Sequence, residues 1–421
     1  ISWRSDRAGV TIITVTGGGG GQGNSLAGVH WYSGDSSLLD ANRPPGSRGW
    51  NIEAIYGVED LGSRDHAKTM AQRAKDHGLV NIVRIDYRNG QAVPMVSTEF
   101  KSWGDRFIDR TRDFAGVSSM FVVGNEPTIE PSGGTSAAEY ASAFDYLFSR
   151  RGEMPAGTTL LFAGPAAFSW DQRGNRNFLD WLEDASNRIT ALDGFALHAY
   201  GDPSVGGCED PRRACARNGW PFDGGFQTFK QQIDRVAKKW KAAKPVYLTE
   251  FNTDVNGRGA WPDPSDNYRD GWINQAFESV RDYNSNRGTT KPPVRSLCWF
   301  VDRDDGGWGK FSLRSIGTAR DDMRDEFRKG ANSVTSDGEP ELGGGTAGGP
   351  IQGGADWGEV APWVQDRLTV GIAMLTRDSG LLLYVLLACA LASSSILIYR
   401  RTGGTGRSRR RVPRPTARAP R

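Results

Sequence analysis

Surplus charge of one sign, histidine, cysteine and long apolar runs are all scarce in this sequence, and each shortage narrows what the chain can be. Its 421 residues set 52 Lys and Arg against 49 Asp and Glu, a formal net charge of only +3. Nine Arg and no acid lie in Arg400 to Arg421. The remainder is therefore mildly acidic and offers no basic face for nucleic acid. With four His and four Cys, no second Cys or His pair stands at zinc-ligand spacing, so no zinc is expected. Cys208 and Cys215 share one polar loop, GGCEDPRRAC. They are read as a small disulfide suited to an oxidising compartment, the alternative being two free thiols. Cys298 lies in an apolar run and reads as a buried small hydrophobe. A signal peptide and an initial Met are also missing, so the expectation is a processed or truncated chain.

Only one long apolar run exists, Leu381 to Tyr399 (LLLYVLLACALASSSILIY), 19 uncharged residues. A helix needs roughly 20 apolar residues to cross a bilayer. Positive charge stays in the cytoplasm, so the Arg-rich tail is expected inside and everything before the run outside. A basic nucleic-acid tail behind a core helix is the weaker alternative. Gly338 to Gly354 (GEPELGGGTAGGPIQGG) cannot form a core and reads as a flexible tether. Ala361 to Leu375 reads either as an amphipathic helix at the membrane surface or as plain stalk.

What is present is alternation. Apolar strand-like runs occur at Leu26–Tyr32, Asn51–Tyr56, Val80–Tyr87, Ser119–Gly124, Thr159–Gly164, Gly194–Tyr200, Val246–Phe251 and Val294–Val301. Helical patterns fill every gap but the first, which holds the Pro/Gly-rich DANRPPGSRG. Eight strands alternating with helices over about 300 residues predict a parallel α/β fold closed as a (β/α)8 TIM barrel. The expected organisation is residues 1–24 as an N-terminal strand and Gly-rich linker, 25–330 as the barrel, 331–378 as linker, 379–399 as a membrane helix and 400–421 as a cytoplasmic tail. Val10 to Thr16 (VTIITVT) reads as the last strand of an upstream domain, or as a strand packing on the barrel.

Barrel enzymes carry their chemistry at the carboxyl ends of strands, so polar residues closing apolar runs are the candidates. The fourth run, FVVGNEP, delivers Asn125 and Glu126. The sixth, GFALHAYG, delivers His198 and Tyr200, two apart and on one face. The seventh, VYLTEFN, delivers Glu250, and the eighth, SLCWFVD, delivers Trp299. Two carboxylates across a barrel mouth suit glycosidic cleavage, one protonating the leaving oxygen and the other attacking or activating water. An indole gives a flat apolar face on which a pyranose can rest.

Asn125-Glu126-Pro127 and Thr249-Glu250-Phe251, in that order on the fourth and seventh strands, resemble clan A of the glycoside hydrolases, which includes cellulases, β-mannanases and β-1,3-glucanases. The resemblance covers about Gly28 to Phe327. It implies a retaining hydrolase of β-linked poly- or oligosaccharide, with Glu126 as acid/base, Glu250 as nucleophile and Asn125 on the sugar 2-hydroxyl. It also implies that His198 and Tyr200 stand near the nucleophile and that Trp299 is a sugar platform. Clan members often carry an Arg beside the nucleophile on an early strand; the strand-borne candidate here is Arg84, on the third run, sharing a face with Asp86.

His30 and Trp31, closing the first run, are further candidates for lining the cleft. Asp302, Asp304 and Asp305 (VDRDDGGWG) resemble a calcium loop with incomplete spacing, so no metal and no cofactor are expected. A monomer is expected. A barrel that binds polysaccharide without cleaving it is the competing class. Such barrels usually lose a carboxylate, and both are present here.

Overall fold

The computed structural model describes residues 2–5, 11–14 and, between 24 and 332, all except 35–38, 40–47, 89, 130–133, 168, 172–175, 202–224, 241–243, 253–269, 304–307, 309–310 and 315–317. Cys208, Cys215, the Gly-rich tract and the apolar run Leu381 to Tyr399 therefore lie outside the described residues. Among the described residues no helix is long and apolar enough to cross a membrane.

Strands covered by helices on one side and filled by side chains on the other need apolar residues at nearly every position, and the eight runs supply them. They form β3 (Asn24–His30), β4 (Arg48–Ile55), β5 (Val80–Ile85), β6 (Met120–Val123), β7 (Thr159–Ala163), β10 (Gly194–Tyr200), β11 (Val246–Asn252) and β12 (Val294–Trp299). These pair in parallel, each with the next, and β12 closes on β3. Two short antiparallel pairs stand outside the barrel: β1 (Ser2–Ser5) with β2 (Thr11–Thr14), and β8 (Trp170–Asp171) with β9 (Arg176–Asn177). The amino-terminal stretch expected as one strand is thus a hairpin.

Helices α1 (Leu61–Asp76), α2 (Phe100–Asp113), α3 (Ala137–Ser149), α4 (Phe178–Arg188), α5 (Thr228–Ala237), α6 (Trp272–Asn286) and α7 (Thr318–Asn332) occupy the expected gaps. Local chemistry sets several starts. Asp60 accepts from the Ser63 backbone at 2.9 Å, which begins α1 five residues before the expected His66. Ser136 and Glu139 form a reciprocal capping box on α3. Asn177 accepts from two backbone N–H groups at the head of α4.

The core lies between barrel and helices. On α6, Trp272, Ile273, Ala276, Phe277 and Val280 recur at helical spacing and are fully buried. Phe251 of β11 stacks on Trp272 at 6.4 Å and meets Trp299 of β12 edge-on at 5.2 Å. Tyr140 of α3 binds both sides of the β6/β7 pair: its hydroxyl donates to the Val123 carbonyl at 2.7 Å and accepts from the Ala163 amide at 2.8 Å. That brace sits directly behind the turn carrying Glu126.

Candidate active site

The chain leaves β6 through a turn that only certain residues allow. Gly124 has φ +81°, and a Cβ there would stand 2.5 Å from the Ala92 Cβ. A side chain is excluded on both counts. Two residues on, Glu126 itself has φ 37°. A non-glycine residue in this left-handed region costs conformational energy that its surroundings must hold, a pattern common at functional sites. The result aims the Glu126 carboxylate into the barrel mouth.

Glu250 comes from β11, where it pairs in register with His198 of β10. The pairing skips a residue between Leu197 and His198, and this irregularity brings both side chains onto the lumen. His198 Nδ1 is 2.7 Å from Glu126 Oε1 and 3.4 Å from Glu250 Oε2. The Tyr200 hydroxyl, on the same face of β10, donates to Glu250 Oε2. Glu126, His198 and Glu250 each offer an atom within 4.8 Å of the other two. The two carboxylates therefore face one another across a few ångströms.

Arg84 reaches the same point from β5. Its Nη1 is 3.7 Å from Glu250 Oε1 and its Nη2 3.4 Å from Asp86 Oδ2, while its guanidinium lies 5.6 Å from the centre of the Tyr56 ring. Arg84 thus pairs with Asp86, whose strand face it shares, and also reaches Glu250. His30 Nε2 is 3.5 Å from Glu250 Oε1.

Burial governs the electrostatics. Desolvation pushes the Glu250 carboxyl above the usual range; the neighbouring His198 opposes this, the Glu126 charge adds to it, and Arg84 and Tyr200 oppose it. Desolvation alone would lower His198, but the charges of Glu250 and Glu126 outweigh it and raise it. Desolvation drives His30 well below its ordinary value, with Arg84, His198 and Arg303 adding to the effect. Tyr200 is raised well above the usual phenol value by burial and the two glutamates, so it stays a donor.

These groups share one cleft. His30, Arg84, Asn125, Glu126, His198 and Glu250 line it, over a floor that includes Ile52, Val122 and Ala196. Asn125 lines the cleft beside Glu126. Trp31 is 3% exposed and packs edge-on to His30 at 5.0 Å, so it backs the cleft and does not line it.

Trp299 departs from expectation. It is fully buried, meets Phe251 edge-on, and donates its indole N–H to the Phe311 carbonyl at 3.0 Å. Alternation turns it toward the helix layer, where no sugar can reach its face. The partly exposed strand-end aromatic is its neighbour Phe300, 5.2 Å from His30 and 5.9 Å from Trp31, with Trp308 at 5.5 Å. Sequence reading missed Phe300; counting the alternation of β12 inward from Cys298 would have found it.

No protein-family profile matches this sequence, and no curated protein matches it either. Solved structures do. A family 39 glycoside hydrolase from Bacteroides cellulosilyticus superposes with TM-score 0.50 at 12% identity, over 75% of this chain and 64% of that one. This chain therefore spans somewhat less than two thirds of that enzyme. A family 5 glycoside hydrolase from Bifidobacterium longum, solved with the disaccharide Manβ1-4GlcNAc, gives 0.47 at 10% identity over 74% and 80%. A family 128 endo-β-1,3-glucanase from Amycolatopsis mediterranei, solved with laminaritriose, gives 0.39 at 15% identity over 74% and 100%. These neighbours are glycoside hydrolases, and the eight-stranded parallel barrel is what this chain shares with the family 39 enzyme.

Spacing alone would let Glu126, His198 and Glu250 ligate a cation. Arg84, 3.7 Å from Glu250 Oε1, opposes one, and Tyr200 already takes Oε2. Asp302 is fully buried and bound by Arg314 at 2.7 Å and by the Ser33 amide at 2.8 Å. It ties the loop after β12 to the loop after β3. Asp304 and Asp305 lie outside the described residues.

Proposed function

We propose that the chain is a retaining glycoside hydrolase acting on a β-linked polysaccharide or oligosaccharide, with Glu126 as acid/base and Glu250 as nucleophile. The observation that carries this is the short separation of the two carboxylates at the carboxyl ends of β6 and β11, with carboxylate oxygens within 4.8 Å. Retaining geometry needs about 5–5.5 Å between carboxyl groups, whereas inverting enzymes leave about 6.5–9.5 Å for a water. Protonated Glu126 gives its proton to the glycosidic oxygen as Glu250 attacks the anomeric carbon. An ester to Glu250 forms and the aglycone leaves as an alcohol. Glu126, now a carboxylate, takes a proton from water, which attacks the same carbon and frees Glu250.

The protein's contribution is charge placement. Tyr200 donates to the ionised form of Glu250, and Arg84 stands by it, so the attacking group keeps its negative charge despite burial. Hydrolysis of a panel of β-glucans, mannans, galactans and xylans, followed by reducing-sugar release, tests the assignment. Binding without release on every member would favour the competing class, a barrel that only holds sugar.

The reading includes tethering: a membrane-anchored protein with its barrel outside the cell, a Cys208–Cys215 disulfide and a cytoplasmic tail. It rests on the Leu381 to Tyr399 run, the arginines after it and the Gly tract before it. A chain ending before Gly380 should leave the membrane fraction with its activity intact. If it stays with membranes, the anchor lies elsewhere.

A further inference from the structure

Buried polar atoms without partners gather on one side of Glu250. Among the described residues, neither ring nitrogen of His30 has a hydrogen-bond partner, though the residue is only 1% exposed. Burying such a group unpaired is costly, and a native fold that does so usually reserves it for something else. The ring is not loose. Trp31 meets it edge-on at 5.0 Å and Phe300 at 5.2 Å. It lines the cleft and points Nε2 toward Glu250 Oε1, 3.5 Å away.

The two oxygens of Glu250 differ. Oε2 is engaged by the Tyr200 hydroxyl and lies 3.4 Å from His198. Among the described residues, Oε1 has only the longer approaches of His30 at 3.5 Å and Arg84 at 3.7 Å. Oε1 is therefore the oxygen free to attack, and His30 is the side chain beside it. Burial and the facing cations hold His30 neutral, which leaves it one N–H and one lone pair.

Resting on the glycosidase reading above, we propose that His30 is a substrate-binding residue whose imidazole hydrogen-bonds one hydroxyl of the sugar ring presented to Glu250 Oε1. The ring it suits is a neutral one. A uronate would seek an unmatched cation, but His30 is uncharged and Arg84 already faces Asp86 and Glu250.

The test uses the full chain and the 4-nitrophenyl β-glycoside it hydrolyses fastest, together with each singly deoxygenated version of that glycoside. H30A and H30Q are compared with wild type, with circular dichroism confirming the fold. On the parent glycoside H30A should lower kcat/KM about tenfold or more. On one deoxy glycoside the loss should shrink to about twofold or less, because the partner hydroxyl is already gone. A loss of equal size on the parent and on every deoxy glycoside would assign His30 a structural role and overturn the proposal. If H30A does not fold, H30Q carries the same comparison. Faster turnover of a glucuronide than of any neutral glycoside would overturn the neutral-ring assignment. A wild type inert on all glycosides would remove the glycosidase reading and this inference together; an active wild type with uniform losses removes this inference alone.

Discussion

The guanidinium of Arg84, rooted on β5, ends 3.7 Å from Glu250 Oε1 on β11, with β6, β7 and β10 between the two strands. One cation thus spans the barrel mouth to meet a buried carboxylate. Asp86 holds its other end at 3.4 Å, so the reach depends on a second buried acid.

Keeping that acid ionised costs stability. Burial pushes Asp86 from 3.8 up to about 6, against the pull of Arg84. Between those values the folded chain keeps a proton that the unfolded chain releases, so stability falls as pH rises through that window. Above it the full penalty applies, about 3 kcal/mol for a shift of this size. D86N, which resembles the protonated acid, should therefore stabilise the protein at pH 7 by up to about 3 kcal/mol and change little near pH 3.5. It should also lower kcat/KM, since Arg84 loses its counter-charge. Denaturant unfolding at the two pH values checks this, and a variant destabilised at pH 7 would contradict it.

Tyr200 acts on the other oxygen of Glu250. Its hydrogen bond favours the carboxylate and pulls the Glu250 pKa down. In Y200F that pull is lost and the pKa rises. The acidic limb of the kcat/KM profile should move to higher pH, and kcat at the optimum should fall about 10- to 100-fold. An unmoved acidic limb would mean that Tyr200 does not tune Glu250.

Trp299 and Phe300 should separate stability from substrate handling. W299F removes a fully buried indole and its bond to the Phe311 carbonyl, and should cost roughly 1–3 kcal/mol while kcat/KM stays within about twofold. F300L, at the partly exposed position beside His30, should do the reverse and raise KM. Thermal melts with Michaelis kinetics on both variants decide it. A raised KM in W299F with an unchanged melt would restore the indole as a platform.

These contrasts also mark what the sequence disclosed. Glu126, Glu250, His198 and Tyr200 were legible because each is a polar residue closing an apolar strand, an expensive placement without a role there. The barrel was legible because its strands are continuous apolar runs separated by amphipathic helices. Trp299 misled because CWF offers two adjacent aromatics, and only the packing of Phe251 against Trp272 reveals which one faces the helices. The reach of Arg84 was open because strand position fixes where a side chain starts and not how far across a lumen it extends. The left-handed turn at Glu126 could not be foreseen, since nothing in GNEP demands a positive φ at the glutamate.

The division of labour between the two acids is the central claim, and azide rescue tests it most directly. On an active 4-nitrophenyl β-glycoside, E250Q should be dead, because nothing else can form the ester. E126Q should still complete the first step, since nitrophenolate leaves with little help, and then stall for want of a base. Added azide should restore its turnover and yield the β-glycosyl azide, the retained product. Rescue of E250Q to that product, in place of E126Q, would show the roles reversed, and undiminished hydrolysis by both variants would place the chemistry elsewhere.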